Sequence, residues 1–169
     1  FDSIIDKDIV LIAKYEKMHL FSHYNQGEGA FSKCGEKGLI VNTDIGKLGI
    51  SICYDIRFPE LHRLYTFSGT EILINVAAWP KTRLHHYQSL SRARAIENQT
   101  FVACCNSCGK AGLTQYGGCS IIINPLGETL ALAGTEEQLL TAQADISALP
   151  NIRSAIPVFH DRRQDMYDI

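Results

Sequence analysis

A cysteine, a lysine and a glutamate carry the chemistry legible in this chain. Cys53 ends the apolar run Gly46-Lys47-Leu48-Gly49-Ile50-Ser51-Ile52 and precedes Tyr54-Asp55-Ile56-Arg57-Phe58-Pro59-Glu60. A buried strand, a reactive-type residue at its C-terminal end and a Pro opening the next helix describe a strand–elbow–helix. That geometry lifts one side chain to the rim of a sheet and aims helix-start N–H groups at whatever it attacks. A helix N-terminus favours the thiolate, which makes Cys53 a candidate nucleophile. Such a nucleophile needs a base for its proton, a stabiliser for the oxyanion and a partner that positions them. Upstream, Tyr15-Glu16-Lys17-Met18-His19-Leu20-Phe21 sets Lys17 among apolar residues, where an amine is partly desolvated. Its cation would lower a nearby thiol's pKa and hold a tetrahedral intermediate. Glu28 follows in the flexible loop Gly27-Glu28-Gly29.

These residues need a scaffold, and the chain reads as alternating elements. Strands are expected at 9–14, 38–43 and 47–53, the first looking like an interior strand. A helix follows at about 59–68, ending at Gly69, a natural C-cap. The run 71–77 shows little polar alternation and reads as a strand buried on both faces. Residues 83–97 read as a helix with apolar or small residues at Leu90, Ala93, Ala95 and Ile96, and 100–105 as another strand. A β-hairpin is expected over 119–132, turning at Asn124-Pro125-Leu126-Gly127-Glu128. A last strand at 139–145 and a short helix near 147–154 complete the pattern. Strand–helix–strand–helix–strand followed by a meander points to an α/β layered fold with a mixed sheet. No repeat or linker interrupts residues 1–169, which read as one domain.

Bulk properties narrow the function. Of 169 residues, 46% are hydrophobic and 20% charged, with formal net charge -2. No basic field argues for nucleic acid or an anionic membrane, and no apolar segment approaches a membrane span. Six cysteines without framework spacing point to a reducing, cytoplasmic setting. Cys105 and Cys108 form a lone C-x-x-C without a second ligand pair. Cys104 and Cys105 continue an apolar strand and read as small buried hydrophobes. His85 and His86 read as a wet helix face rather than metal ligands. Arg94 and Glu97, three apart, read as a local ion pair. No metal or other cofactor is expected.

Taken together, Lys17 in K-x-H-L-F, Glu28, and Cys53 in I-C-Y-D-x-R-F-P-E resemble the carbon–nitrogen hydrolase, or nitrilase, superfamily. The likeness continues in Arg92-Ala93-Arg94-Ala95-Ile96-Glu97-Asn98, in the turn at 124–128, and in Ile156-Pro157-Val158-Phe159 with Arg162-Arg163. The resemblance implies an α-β-β-α sandwich that pairs with a second subunit, hence a homodimer or higher homo-oligomer. It implies Cys53 as nucleophile, Lys17 and the Tyr54 backbone N–H at the oxyanion, and Glu28 as a second, positioning glutamate. The family's general-base glutamate lies well upstream of the lysine. Asp2, Asp6 and Asp8 stand in the wrong context for it, and with the abrupt start this leads us to expect the C-terminal portion of a longer polypeptide. The implied reaction is hydrolysis of a non-peptide amide through a cysteine thioester, with ammonia released.

C-Y-D-x-R-F-P, Ala77-Ala78-Trp79-Pro80 and the tail resemble the ω-amidases, which take 2-oxo dicarboxylate monoamides. Such a substrate carries a carboxylate, for which Arg57 and Arg83 are candidate partners; Trp79, Tyr116 and Ala78 are candidate pocket walls. The alternatives are an N-carbamoyl amidase and a catalytically incomplete piece lacking the base.

Overall fold

The computed structural model describes residues 2–5, 8–21, 28–30 and 32–166. Asp6 and Gly27 fall outside them, as does the side chain of Asp2.

The centre is a six-stranded sheet built from β3 (Leu39–Thr43), β4 (Gly46–Ile52), β5 (Ile72–Ala77), β6 (Phe101–Asn106), β9 (Ile121–Ile123) and β10 (Thr129–Leu132). Its order is β10-β9-β6-β5-β4-β3. β4, β5 and β6 run parallel, whereas β3, β9 and β10 attach antiparallel. The parallel strands are linked by α1 (Pro59–Phe67) and α2 (Leu84–Asn98). Parallel neighbours need such crossovers. Three strand C-termini therefore open on one edge of the sheet, where open α/β sheets bind their ligands.

Alternation sorts the side chains. In register, Gly49, Leu73 and Val102 line up on one face, and Ile50, Ile74 and Ala103 on the other. The first face packs under the helices: Leu61 and Tyr65 of α1 and Tyr87 and Ala95 of α2 join Leu73, Ala77, Val102, Cys104, Ile121 and Ile123 in one core. On the opposite face Leu48 and Ile50 pack with Tyr15, Ile72 and Ile74. Gly49 is required where Tyr65 crosses β4, because a Cβ there would lie 2.8 Å from the Tyr65 ring. Pro59 opens α1, a position that has no intrahelical N–H partner to lose. Gly69, at φ +88, lets the chain turn after it.

Several expectations change. The run at 71–77 alternates instead of being buried on both faces: Leu73, Asn75 and Ala77 are buried while Val76 is 39% exposed. An apolar run is ambiguous in periodicity, and here only one face is under helices. Strand 9–14 is not interior. β2 (Leu11–Tyr15) pairs with β1 (Asp2–Ile5) in a separate two-stranded ribbon, and Leu11 is 60% exposed. The segment 139–145 forms no strand; its residues are mostly exposed. α2 buries Tyr87, Ser91, Arg94, Ala95 and Asn98 and leaves Ile96 outward. Its polar residues are satisfied inside: Ser91 donates to Tyr87 O and Arg94 Nε to Ile56 O. Arg94 also pairs with Glu97 at 2.6 Å, as expected of a local pair. A short ribbon, β7 (Lys110–Ala111) with β8 (Thr114–Gln115), was not foreseen, and α3 (Leu149–Ala155) follows a 3-10 turn, with a second 3-10 turn at Gln164–Met166 after it.

Candidate active site

β4 ends at Ile52, and Cys53 takes φ +49 at the start of a 3-10 turn, Cys53–Arg57. A non-glycine residue in that region is strained, and strain at a strand end is typical of an elbow that presents a nucleophile. The helix does not follow directly: the 3-10 turn and an extended Phe58 intervene before α1.

A cavity of about 460 Å³ lies at this edge. Cys53 and Tyr54 enter it from the elbow after β4, Ala78 and Trp79 from the end of β5, and Ser107 from the end of β6. Lys17 and Glu28 reach it from the segment after β2, and Arg57, Arg83 and Tyr116 complete its wall. The nine candidate site residues Lys17, Glu28, Cys53, Tyr54, Arg57, Ala78, Trp79, Arg83 and Tyr116 thus meet in one cavity. Ser107 and Thr114 also line it, together with Phe21 and Pro80. The topology could have flagged Ser107, since it follows β6 as Ala78 follows β5. Nothing in the sequence pointed to Thr114, which belongs to the unforeseen ribbon. Asp8 lies in a separate groove with Ile12 and Asp44. Among the described residues Glu28 is the one carboxylate on the cavity.

Lys17, its side chain only 10% exposed, donates to Glu28 Oε2 at 2.5 Å, and the same oxygen accepts from Phe21 N at 3.0 Å. Gly35 N donates to Lys17 O and pins the backbone. The Cys53 thiol is not the ready thiolate expected from a helix start. Burial pushes it above the ordinary cysteine value, and the Glu28 charge adds to this. Lys17 and the backbone at Ala78 and Tyr54 pull the other way without overcoming burial. A buried thiol with a cation and N–H groups converging on it ionises when a base takes its proton, and its charge is then well held.

The arginines face aromatic rings. Arg57 Cζ lies 4.7 Å from the Trp79 ring centroid and 6.0 Å from that of Tyr54. Its Nη2 donates to His86 Nδ1 at 3.3 Å. Arg83 Cζ lies 5.7 Å from the Phe21 ring. Among the described residues neither guanidinium is ion-paired. Trp79 is 3% exposed and firmly held: its backbone N donates to Asn106 Oδ1 at 2.7 Å, and its Nε1 donates to Arg83 O at 2.8 Å. His86 sits on the Arg57 side of the helix, not free in solvent as expected.

Sequence reading missed the carboxylate behind the elbow. Asp55 is fully buried and accepts from Tyr15 Oη, His19 N, His19 Nδ1 and Ile52 N at 2.8–2.9 Å. Among the described residues no group of three or more His, Cys, Asp or Glu side chains is arranged to hold a metal ion. No helix there is long and apolar enough to cross a membrane. The cysteines are all free.

Known proteins share this arrangement of elements. The chain is 42% identical over 164 residues to the 2-oxoglutaramate amidase of Bacillus subtilis, covering 97% of this chain and 62% of that protein. It thus spans about three fifths of that relative's length. The crystal structure of the C. elegans NitFhit protein superposes with TM-score 0.91 at 38% identity, covering 98% of this chain and 42% of that one. A mutant amidase from Nesterenkonia sp. AN1, with the acetamide moiety of fluoroacetamide added covalently at its active-site cysteine, gives TM-score 0.83 at 25% identity, covering 97% and 58%. Residues 3–154 match the carbon-nitrogen hydrolase family. A match of that extent, on this sheet and around this cavity, establishes that the chain belongs to the carbon-nitrogen hydrolase family.

Proposed function

We propose that this chain carries the nucleophile, oxyanion and substrate-carboxylate subsites of an amidase acting on a small carboxylated amide, such as a 2-oxo dicarboxylate monoamide. The observation that carries this reading is the convergence of Lys17, Glu28 and Cys53 on a cavity that also presents two guanidiniums without carboxylate partners among the described residues. Unpaired arginines on an apolar wall attract a planar carboxylate.

On this reading the groups act in turn. A base removes the Cys53 proton, and the sulfur adds to the amide carbon. The carbonyl oxygen gains the electron pair and is held by Lys17 and the Tyr54 N–H. Collapse of the intermediate breaks the C–N bond; the nitrogen takes a proton and leaves as ammonia. Water then attacks the thioester, releasing the acid and restoring the thiol. Losing one oxyanion donor costs roughly 2.7–4 kcal/mol in comparable sites. Glu28 holds Lys17 in place. The relative's name, 2-oxoglutaramate amidase, supports the substrate class. We further assign the protein to the cytoplasm, as free cysteines allow, and to a homo-oligomer.

One observation favours a second reading. Glu28 is already engaged by Lys17 and Phe21 N, which leaves the cavity's described residues without a spare carboxylate base. On that reading the chain binds and is alkylated but does not turn over. Ammonia release from 2-oxoglutaramate decides. Turnover that Cys53→Ala abolishes supports the amidase. A Cys53 that reacts with iodoacetamide without any ammonia release supports the second reading. Carbon dioxide released with ammonia from an N-carbamoyl amino acid, and no hydrolysis of 2-oxoglutaramate, overturns the substrate assignment.

A further inference from the structure

The residues two before and two after Lys17 both end on one buried carboxylate, and that carboxylate stands two residues after Cys53. Tyr15 Oη donates to Asp55 Oδ2 at 2.8 Å, and His19 donates to Asp55 Oδ1 through both its backbone N (2.9 Å) and its ring Nδ1 (2.8 Å). On the other side Asp55 Oδ2 accepts from Ile52 N at 2.9 Å, the residue just before the strained Cys53. We propose that Asp55, acting with His19, is a positioning residue that fixes the Lys17 amine relative to the Cys53 thiol by tying both backbones to one carboxylate.

The chemistry of the donors makes the tie specific. A carboxylate accepts only, so the His19 ring must carry its hydrogen on Nδ1. Burial and the Asp55 charge push the Tyr15 phenol far up, which keeps its hydroxyl a donor. The His19 ring stacks on Phe58, centroids 3.6 Å apart and planes within 9°, which fixes the orientation of its N–H. Phe58 follows the same 3-10 turn. Charge-assisted bonds to a buried acceptor are the stronger kind, and a single carboxylate serving two segments couples their positions. Asp55 lies behind the cavity and lines none of it.

This inference rests on the reading of Cys53 and Lys17 given above, so its test separates the two. The readout is the pH midpoint of iodoacetamide labelling at Cys53, followed on the peptide that carries it by mass spectrometry. Lys17→Met should raise the midpoint, since the cation that opposes burial is gone. His19→Phe keeps the stack on Phe58 but loses the Nδ1 donor, and should raise the midpoint in the same direction. Labelling at neutral pH should then slow by about 3- to 10-fold, the effect of a fraction of a unit up to one unit in pKa. His19→Asn, whose amide nitrogen can take the place of Nδ1, should return the midpoint towards the original. Asp55→Asn should approach Lys17→Met. If Asp55→Asn does not fold, His19→Phe and Tyr15→Phe decide. A midpoint unchanged in His19→Phe and Tyr15→Phe, with Lys17→Met shifted, overturns the positioning role alone. A midpoint unchanged in Lys17→Met overturns the reading of the site itself.

Discussion

Glu28 Oε2 takes two hydrogen bonds at one oxygen, from Lys17 Nζ at 2.5 Å and from Phe21 N at 3.0 Å. The carboxylate therefore does two opposed things. It holds the cation that favours the Cys53 thiolate, and its own charge disfavours that thiolate.

Glu28→Gln separates these effects. The amide keeps an oxygen for Lys17 but loses the charge. The Cys53 labelling midpoint should fall, while amide turnover drops by roughly 10²–10³-fold because Lys17, the proposed oxyanion partner, is less firmly placed. Labelling and steady-state ammonia release, measured on the same preparation, test this. A midpoint that rises instead would mean that Glu28 acts on the thiol only through Lys17.

Arg57 is the better placed of the two candidate carboxylate partners, because Trp79, Tyr54 and His86 hold its guanidinium on the cavity wall. Arg57→Met should raise KM for 2-oxoglutaramate by about 10–100-fold, the worth of a charge-assisted pair of about 1.5–3 kcal/mol. An uncharged amide of similar size should be hardly affected. If KM rises equally for both, Arg57 shapes the wall and does not read the carboxylate; Arg83→Met is then the variant to compare.

The parallel strands and the residues at their ends were legible because each strand is a short apolar run and each end carries an unusual residue type. The buried carboxylate behind the elbow was not. Asp55 reads as one polar residue in a turn, and only the fold brings Tyr15 and His19 onto it from a segment about forty positions earlier. Burial of the thiol was equally invisible. A helix start alone argues for a thiolate, whereas the net direction depends on walls contributed by β5 and by the segment around Trp79. The exposed 139–145 run forms no strand: the alternation of Leu140, Ala142 and Ala144 with Thr141, Gln143 and Asp145 imitates one that no described neighbour pairs with.

Gly49 supplies a test of how firmly β4 holds the elbow. A methyl group there would meet the Tyr65 ring at 2.8 Å, Thr70 Cγ2 at 3.0 Å and Leu73 Cδ2 at 3.1 Å. Tyr65 cannot swing aside freely, since its hydroxyl donates to Ile50 O at 2.7 Å and accepts from Leu39 N at 3.0 Å. Gly49→Ala should destabilise by about 1–3 kcal/mol, as overpacking does. Urea unfolding followed by fluorescence measures it; an unchanged midpoint would show that α1 shifts outward at no cost.

His62 sets an acid limit on the fold. It is 1% exposed, donates from Nδ1 to Phe58 O at 3.0 Å, and its Nε2 lies 3.3 Å from Ser51 Oγ. Burial pushes its pKa down to about 4, against an ordinary value near 6.5. The folded form therefore holds His62 neutral through a range where the unfolded chain binds a proton. Its contribution is complete above about pH 6.5 and is lost as pH falls from there through 4, on the order of 3 kcal/mol in all. Unfolding free energies at pH 7.5 and pH 5 should differ more for the original chain than for His62→Gln, whose side chain does not titrate. Equal differences would mean that His62 is already protonated in the folded state and that its ring finds a second acceptor inside the core.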